Sequence, residues 1–224
     1  MYEIIVAIAA ILLAAPVAQE RGWAGLFDGK TLTGWAQKNG TATYRVSDGT
    51  LVGRTSTGEH NSFLCTLKEY GNFEFEFEVR VDRGLNSGVQ IRSRGKTGGD
   101  IGADPKAPMG RVHGPQVEID TGEAEGSYSG YVYGEATGRE WITPENRLLR
   151  HKNFKGGEWN RFRILAEGPR IRTWINGQAV EDLTDDALFK THPKGFIGLQ
   201  VHAVKKGEGP FEVAWRNLRV REIR

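Results

Sequence analysis

The sequence predicts an all-β sandwich of two antiparallel sheets, and three observations carry that reading. Apolar residues recur with a period of two rather than 3.6. Asn-Gly and Asp-Gly pairs punctuate the apolar runs as hairpin turns do. No strand–helix–strand rhythm appears, so a parallel sheet is not expected. Thirty glycines and only two methionines in 224 residues also favour a turn-rich β protein over a helical bundle. The length suits one domain, expected over 19–224.

Residues 4–18, IIVAIAAILLAAPVA, are apolar but short for a membrane span. They read as the core of a signal peptide, 1–18, with cleavage expected after Ala18. The protein is therefore expected to be exported, to the periplasm or outside the cell, with no membrane span in the mature chain. An uncleaved N-terminal anchor is the rival reading, because Glu3 and Pro16 depart from the leader pattern. TYRVSDGTLVGR (43–54) reads as a hairpin turning at Asp48-Gly49. Cys65 is the one cysteine, so no internal disulfide forms, and its setting between Leu64 and Leu67 predicts a packed thiol. FEFEFEVRV (73–81) alternates strictly, with Phe73, Phe75, Phe77, Val79 and Val81 on one face and charges on the other, as in a strand with one wet side. RFRILAE (161–167), IRTWI (171–175) and FEVAWRNLRVREI (211–223) behave similarly, and Asn176-Gly177 marks a second hairpin. TDDALFK (184–190) is the clearest helix signal, worth one or two turns.

Three further strands carry the functional signal. GVQIR (88–92), PQVEID (115–120) and FIGLQVH (196–202) each have one apolar face. Their other faces bear Gln90 and Arg92, then Gln116, Glu118 and Asp120, then Gln200 and His202. If the three are neighbours, these groups form one floor of amides, carboxylates, a guanidinium and an imidazole. Such a floor suits a polyhydroxylated ligand, and an ordinary solvated sheet face is the plain alternative. Tyr128, Tyr131, Tyr133 and Trp141 follow the acidic strand, while Trp23 and Trp35 lie near the expected mature start. Sugar rings stack on such side chains, although each one alone is as readily a core residue. The Gly- and Pro-rich stretch 96–111 is expected to be a loop walling the pocket.

Of the histidines, His60 and His113 are read as loop residues near the site, and His151 and His192 as surface residues. No H-x-H or H-x-x-x-H pair occurs, so the metal question stays open; a divalent cation on Glu118, Asp120 and a distant His would leave no sequence trace. A formal net charge of +2, without a Walker loop, zinc-finger spacing or basic heptad, argues against a nucleic-acid partner and leaves a small carbohydrate as the expected one. Glu118, Asp120 and Glu123 also form an E-x-D-x-x-E pattern like that of retaining β-glucanases. Residues 118 and 123 point to opposite faces of a regular strand, so paired carboxylates ~5–5.5 Å apart would need a bulge there.

Seven segments occur in the order of one family: GLFDGKTLTGW (25–35), LNSGVQIRS (85–93), GPQVEID (114–120), GYVYGEATG (130–138), EWNRFRILAEGPRIRTWINGQAVED (158–182), GFIGLQVH (195–202) and FEVAWRNLRVREI (211–223). Through them the chain resembles the 3-keto-disaccharide hydrolase domain family. The resemblance implies a concanavalin A-like jelly roll and action on glycosides already oxidised at C3. The C3 ketone acidifies the proton on C2, so a base can remove it, the C1 substituent can leave by β-elimination, and water can add afterwards. On this reading Glu118 or His202 is the base, and Arg92 steadies the enediolate, with or without a divalent cation. Asp120 and Gln116 orient the sugar, Tyr131 or Tyr133 serves the leaving oxygen, and Gln90, Gln200 and Trp141 bind substrate. A non-catalytic carbohydrate-binding module and, more remotely, a retaining β-glucanase using Glu118 and Glu123 are the competing functions.

Overall fold

A computed structural model describes residues 22–58, 60–122 and 125–223; the expected leader, 1–18, and Glu123 lie outside the described residues. Two antiparallel sheets pack face to face. The larger runs β12 (Gln178–Thr184), β11 (Arg170–Ile175), β10 (Asn160–Glu167), β6 (Phe73–Val81), β14 (Glu212–Glu222), β4 (Thr50–Arg54), β3 (Thr43–Ser47), with β1 (Ala24–Gly25) paired to β14. The smaller runs β2 (Trp35–Lys38), β5 (Ser62–Thr66), β13 (Phe196–Val201), β7 (Asn86–Gly95), β8 (Val112–Asp120), β9 (Val132–Glu135). This is the antiparallel sandwich expected from the alternation and the turns, in the jelly-roll form that the family resemblance implies. Both predicted hairpins form, with Asp48 at φ 48° and Asn176 at φ 52° in the left-handed region that such turns need. The expected helix is α1 (Asp186–Thr191), capped by Asp185, whose carboxylate accepts from Leu188 N at 2.8 Å.

The core lies where the periodicity puts it. Phe73, Phe75, Phe77, Val79 and Val81 are all buried, facing Val89, Ile91, Val117, Ile119, Ile197, Leu199 and Val201 of the smaller sheet. Phe77 stacks on Phe75 and Phe162 with ring centres 5.0 and 5.1 Å away, so one aromatic column joins β6 to β10. The polar face of β6 is less wet than its sequence suggests, for Glu74 and Glu76 are buried. Arg161 of β10 and Arg219 of β14 reach Glu76 at 2.8 and 2.7 Å, while Arg163 and Arg221 close on Glu74. Trp174, Trp159 and Trp23 then lie against Arg163, Arg216 and Arg219. Stacked guanidinium groups and their aliphatic stems thus roof the carboxylates.

Because Phe77 packs against ring neighbours on two sides, Phe77→Ala is expected to cost about 3–5 kcal/mol of folding free energy in urea titration, with little change in the denaturant slope.

Candidate functional site

The three polar-faced strands are neighbours, β13–β7–β8, as the floor requires. Their register sets Gln90 beside Gln116, and Gly88 between Glu118 and Gln200. A Cβ at Gly88 would stand 2.5 Å from Gln116 Cδ, so the missing side chain lets Gln116 lie across β7 toward β13. Gln116 Oε1 accepts from Gln90 Nε2 at 2.6 Å and from Gln200 Nε2 at 2.8 Å, and Gln116 Nε2 donates to Glu118 Oε2 at 2.9 Å. Gln200 Nε2 also lies 3.5 Å from Glu135 Oε2. An amide relay therefore joins two carboxylates, Glu118 and Glu135, across the outer face of the smaller sheet. Asn86 holds the second oxygen of Glu118, and Arg111 pairs with Glu135.

Above this floor opens a cleft of about 380 Å³, lined by Asn61, Asn86, Arg111, Gln116, Glu118, Tyr133, Glu135, Ala136, Trp141, Gln200 and His202. Burial pushes the Glu118 carboxyl up to about 7; the Asn86 and Gln116 hydrogen bonds oppose the rise, and the charges of Asp120 and Glu135 add to it. Burial also raises Glu135, against the charge and hydrogen bond of Arg111. Tyr133 rises by burial and by the charge of Glu135, so its hydroxyl stays a proton donor at neutral pH. His202 Nδ1 sits 2.7 Å from the Ala203 carbonyl; donating there leaves Nε2 of the neutral ring as an acceptor. Two buried polar atoms of the lining have no protein partner among the described residues: Arg111 Nη1, a donor, and Gln200 Oε1, an acceptor. Such atoms are costly unless a ligand or water meets them. A roomier hollow of about 540 Å³ lies against Glu76, Glu78, Arg161 and Arg219. There burial works to raise Glu76, but hydrogen bonds to Arg219 and Arg161 outweigh it and hold the carboxyl below its ordinary value. Its charges are spent on one another, and it is not the better candidate.

The cleft gathers Glu118, His202, Gln116, Gln200, Tyr133 and Trp141 from the sequence-predicted set. Gln90 lies one layer down, fully buried and donating to Gln116. Arg92 is a correction. A bulge between Gln90 and Arg94, with Arg92 at φ 50°, breaks the alternation that put Arg92 beside Gln90. Its guanidinium instead donates to the carbonyls of Gly71 (2.6 Å) and Gly168 (2.7 Å) and lies over the Phe189 ring. Asp120 is a second correction: its carboxylate accepts from Gly122 N and Tyr128 N at 2.9 and 3.2 Å, capping the turn that ends β8. Tyr131 is a third, since its hydroxyl donates to the Leu149 carbonyl at 3.1 Å. Trp35 packs into the core, and Trp23 lies against Arg219 and Arg221 on the other sheet. Cys65 is buried, its thiol pushed up to about 12 by burial, as expected of a packed residue.

His60 is exposed and His202 lines the cleft, but His113, His151 and His192 were misplaced by sequence reasoning. His113 lies inside β8, and His192 is 1% exposed rather than on the surface. His113 Nε2 meets Asp100 at 3.0 Å and its Nδ1 meets His192 Nε2 at 3.0 Å, while Arg94 completes the cluster by pairing with Asp100. His151 is half-buried, with Nε2 at 2.8 Å from the Ser129 carbonyl. This Asp100 cluster pins the 96–111 loop, and the loop delivers Arg111 to the cleft. Sequence reasoning missed Arg111, Asn86, Asn61 and Glu135. Glu135 and Asn86 left a signal: Tyr133 and Glu135 alternate in VYGE, and Asn86 alternates with Gln90 in NSGVQ, so β9 and β7 turn each pair to one face. Among the described residues no group of three or more His, Cys, Asp or Glu side chains is arranged to hold a metal ion.

Comparison with known proteins bears on this geometry. The family described as 3-keto-alpha-glucoside-1,2-lyase-like domain matches residues 22–221. A 3-keto-disaccharide hydrolase of Bacteroides thetaiotaomicron is 25% identical over 187 residues, which is 75% of this chain but 59% of that protein. The chain thus spans less than two thirds of that relative's length. A putative glycosyl hydrolase from Parabacteroides distasonis superposes with TM-score 0.59 at 20% identity, over 91% of this chain and 94% of that one. A carbohydrate binding module from Bacillus subtilis superposes with TM-score 0.55 at 18% identity, over 86% and 98%. At these identities the two superpositions are likenesses of fold.

A carboxyl raised from 4.5 to about 7 binds its proton more tightly in the folded chain than in the unfolded one. Its stabilising contribution is therefore complete below pH ~4.5 and is lost as pH rises through ~7. Glu118→Gln should remove that loss. Urea titrations at successive pH values should show the variant gaining on the parent by up to about 3 kcal/mol between pH 4.5 and 8.5.

Proposed function

Because the chain belongs to the 3-keto-alpha-glucoside-1,2-lyase-like domain family, we propose that it cleaves glycosides carrying a ketone at C3, with Glu118 as the base. The observation that supports this most directly is Glu118 itself: a buried carboxylate lining the cleft, held by two amides and, among the described residues, paired with no cation, and poised near pH 7. A base of that strength is matched to a carbon acid made only moderately acidic by an adjacent ketone.

Glu118 takes the C2 proton, and the C–H electrons form the C2=C3 bond of an enediolate whose charge rests on the C3 oxygen. Arg111, a lining residue of the cleft whose Nη1 has no partner among the described residues, stabilises that oxygen in the guanidinium role that Arg92 does not fill. Collapse restores the C3 ketone, forms C1=C2 and releases the C1 oxygen, which Tyr133 protonates. Water then adds across C1=C2, with its oxygen to C1 and a proton returned to C2, and His202 Nε2 receives the proton that water sheds. The buried amides of Gln116 and Gln200 hold ring hydroxyls, and Trp141 meets the C–H face of the sugar.

Glu118→Gln should lower turnover of a 3-keto glucoside by roughly 10²–10⁴-fold while calorimetric affinity changes little, and unchanged turnover would remove Glu118 from the base position. An unoxidised β-glucan should not be cleaved, which separates this reaction from that of a retaining glucanase. Binding of a 3-keto glucoside by the parent protein without any product would favour the binding-module reading. In the parent, kcat/KM should rise with pH to a plateau beyond an inflection near 7, since the base works deprotonated; that inflection should be absent from the residual rate of the Gln variant.

A further inference from the structure

Among the described residues Arg111 is the only arginine or lysine of the cleft lining, and it stands at the end of the 96–111 loop, just before β8. Its guanidinium meets Glu135 and lies 5.7 Å from the centre of the buried Phe63 ring, while Nη1 has no partner among the described residues. A long side chain on a loop is aimed only as well as its own backbone is held.

One side chain grips that backbone on both sides. Asn39, in the turn after β2, donates from Nδ2 to the Gly110 carbonyl at 3.1 Å and accepts from Val112 N at Oδ1, at 2.7 Å. These atoms belong to the two peptide groups that flank the Arg111 Cα, so a single planar amide restrains both backbone torsions of Arg111. It does so from 71 and 73 positions away in the sequence. Asn39 itself stands at φ 55°, a left-handed conformation that asparagine takes more readily than most residues. The loop supplies the rest of the support. The Arg111 carbonyl accepts from Lys96 N at 2.9 Å, and Arg111 N donates to the Pro108 carbonyl at 3.1 Å. The loop is also wound around the Lys96 ammonium, which donates to the carbonyls of Asp104, Pro105 and Ala107, all within 2.8 Å.

We propose that Asn39 is a positioning residue for the reaction: its side-chain amide locks the Arg111 backbone and thereby holds the guanidinium in the cleft lining. The catalytic consequence rests on the reading of Arg111 as the group that stabilises the enediolate. A donor lowers the barrier most when it is already in place as the charge develops. A misplacement of about 1 Å, caused by a change remote from the chemistry, costs on the order of 10²-fold in rate.

The test compares the parent protein with Asn39→Gly, Asn39→Asp, Arg111→Ala and the pair Asn39→Gly/Arg111→Ala, each first shown to unfold cooperatively in urea. Glycine takes a positive φ freely, so Asn39→Gly deletes the amide without straining the turn. Aspartate keeps the acceptor for Val112 N and loses the donor to Gly110. With a 3-keto glucoside, Asn39→Gly should lower kcat roughly 10- to 10²-fold with KM little changed, and Asn39→Asp should fall between it and the parent. The inflection near pH 7 should stay in place, because Glu118 is untouched. Arg111→Ala should lose about 10²–10³-fold, and adding Asn39→Gly to it should cost nothing further. Additive losses in the pair, an effect on KM alone or an unaltered Asn39→Gly rate would overturn the positioning role. Where Asn39→Gly does not fold, Asn39→Asp and its pair with Arg111→Ala are held to the same criteria. Full activity in Arg111→Ala would remove Arg111 from the enediolate, and a parent without turnover would remove the cleavage reading. In both cases the clamp is judged by carbon-13 NMR titration of the Glu135 carboxyl. Arg111 opposes the rise that burial imposes on Glu135, so Asn39→Gly should move the midpoint upward, as Arg111→Ala does. A midpoint that moves in Arg111→Ala but not in Asn39→Gly would overturn the clamp itself.

Discussion

Everything functional in this molecule depends on burial of the apolar face of β6 and its neighbours against the smaller sheet. The aromatic column of Phe75, Phe77 and Phe162 meets Val89, Val117, Ile119, Leu199 and Val201, so the side-chain period of two assigns every second residue of β8 and of the regular stretches of β7 and β13 to the core. The intervening residues have one place left, the outer face. A slip of one residue would send Gln116, Glu118 and Gln200 inward and their apolar neighbours outward, which the core forbids. The packing of the sandwich is thus also what aims the candidate site.

That outer face is unusual because it is polar yet buried. Gln90, Gln116 and Gln200 are nearly inaccessible, and each donor or acceptor left unmet there is costly. The chain meets most of the requirement internally by letting one Gln oxygen serve two donors and by handing the opposite end of that amide to Glu118. The requirement is left open at Arg111 Nη1 and Gln200 Oε1, both in residues of the cleft lining. Those two buried atoms are the part of the network that stays costly unless a ligand or water meets them. Glu118 bears the energetic consequence: its carboxylate is held by the Asn86 and Gln116 amides, and burial raises it until it can exchange a proton near neutral pH.

The opposite sheet shows the other way to treat carboxylates under cover. Glu74, Glu76 and Glu78 also stand on an outer face, but each meets arginines from β10 or β14. Burial and guanidinium contacts there oppose each other, and Glu76 and Glu78 end below their ordinary values. The two sheets carry similar residue types with opposite electrostatic outcomes, so the difference between a structural lattice and a reactive cleft lies in partners rather than in composition.

Strand alternation, the NG and DG hairpins, the short helix and the polar faces of β7, β8 and β13 were all legible in the linear chain, because each is a local pattern that survives without knowledge of neighbours. Glu118, Gln116, Gln200 and His202 could be named for that reason, as could Tyr133 and Trp141. Arg92 could not be placed, since its left-handed bulge occurs where the chain passes close to Gly195, whose Cβ would fall 2.3–2.6 Å from the backbone of Arg92 and Ser93, a contact made across long sequence separation. Arg111 comes to the cleft from a loop end, a position whose direction no periodicity predicts, and Asn86, though it alternates with Gln90, reaches Glu118 only through the pairing of β7 with β8. His113 and His192, 79 residues apart, meet only because α1 packs against the 96–111 loop and β8. What the chain states alone is which residues share a face of a strand; which of them meet, and which cation lies beside which carboxylate, follows from long-range pairing and its irregularities.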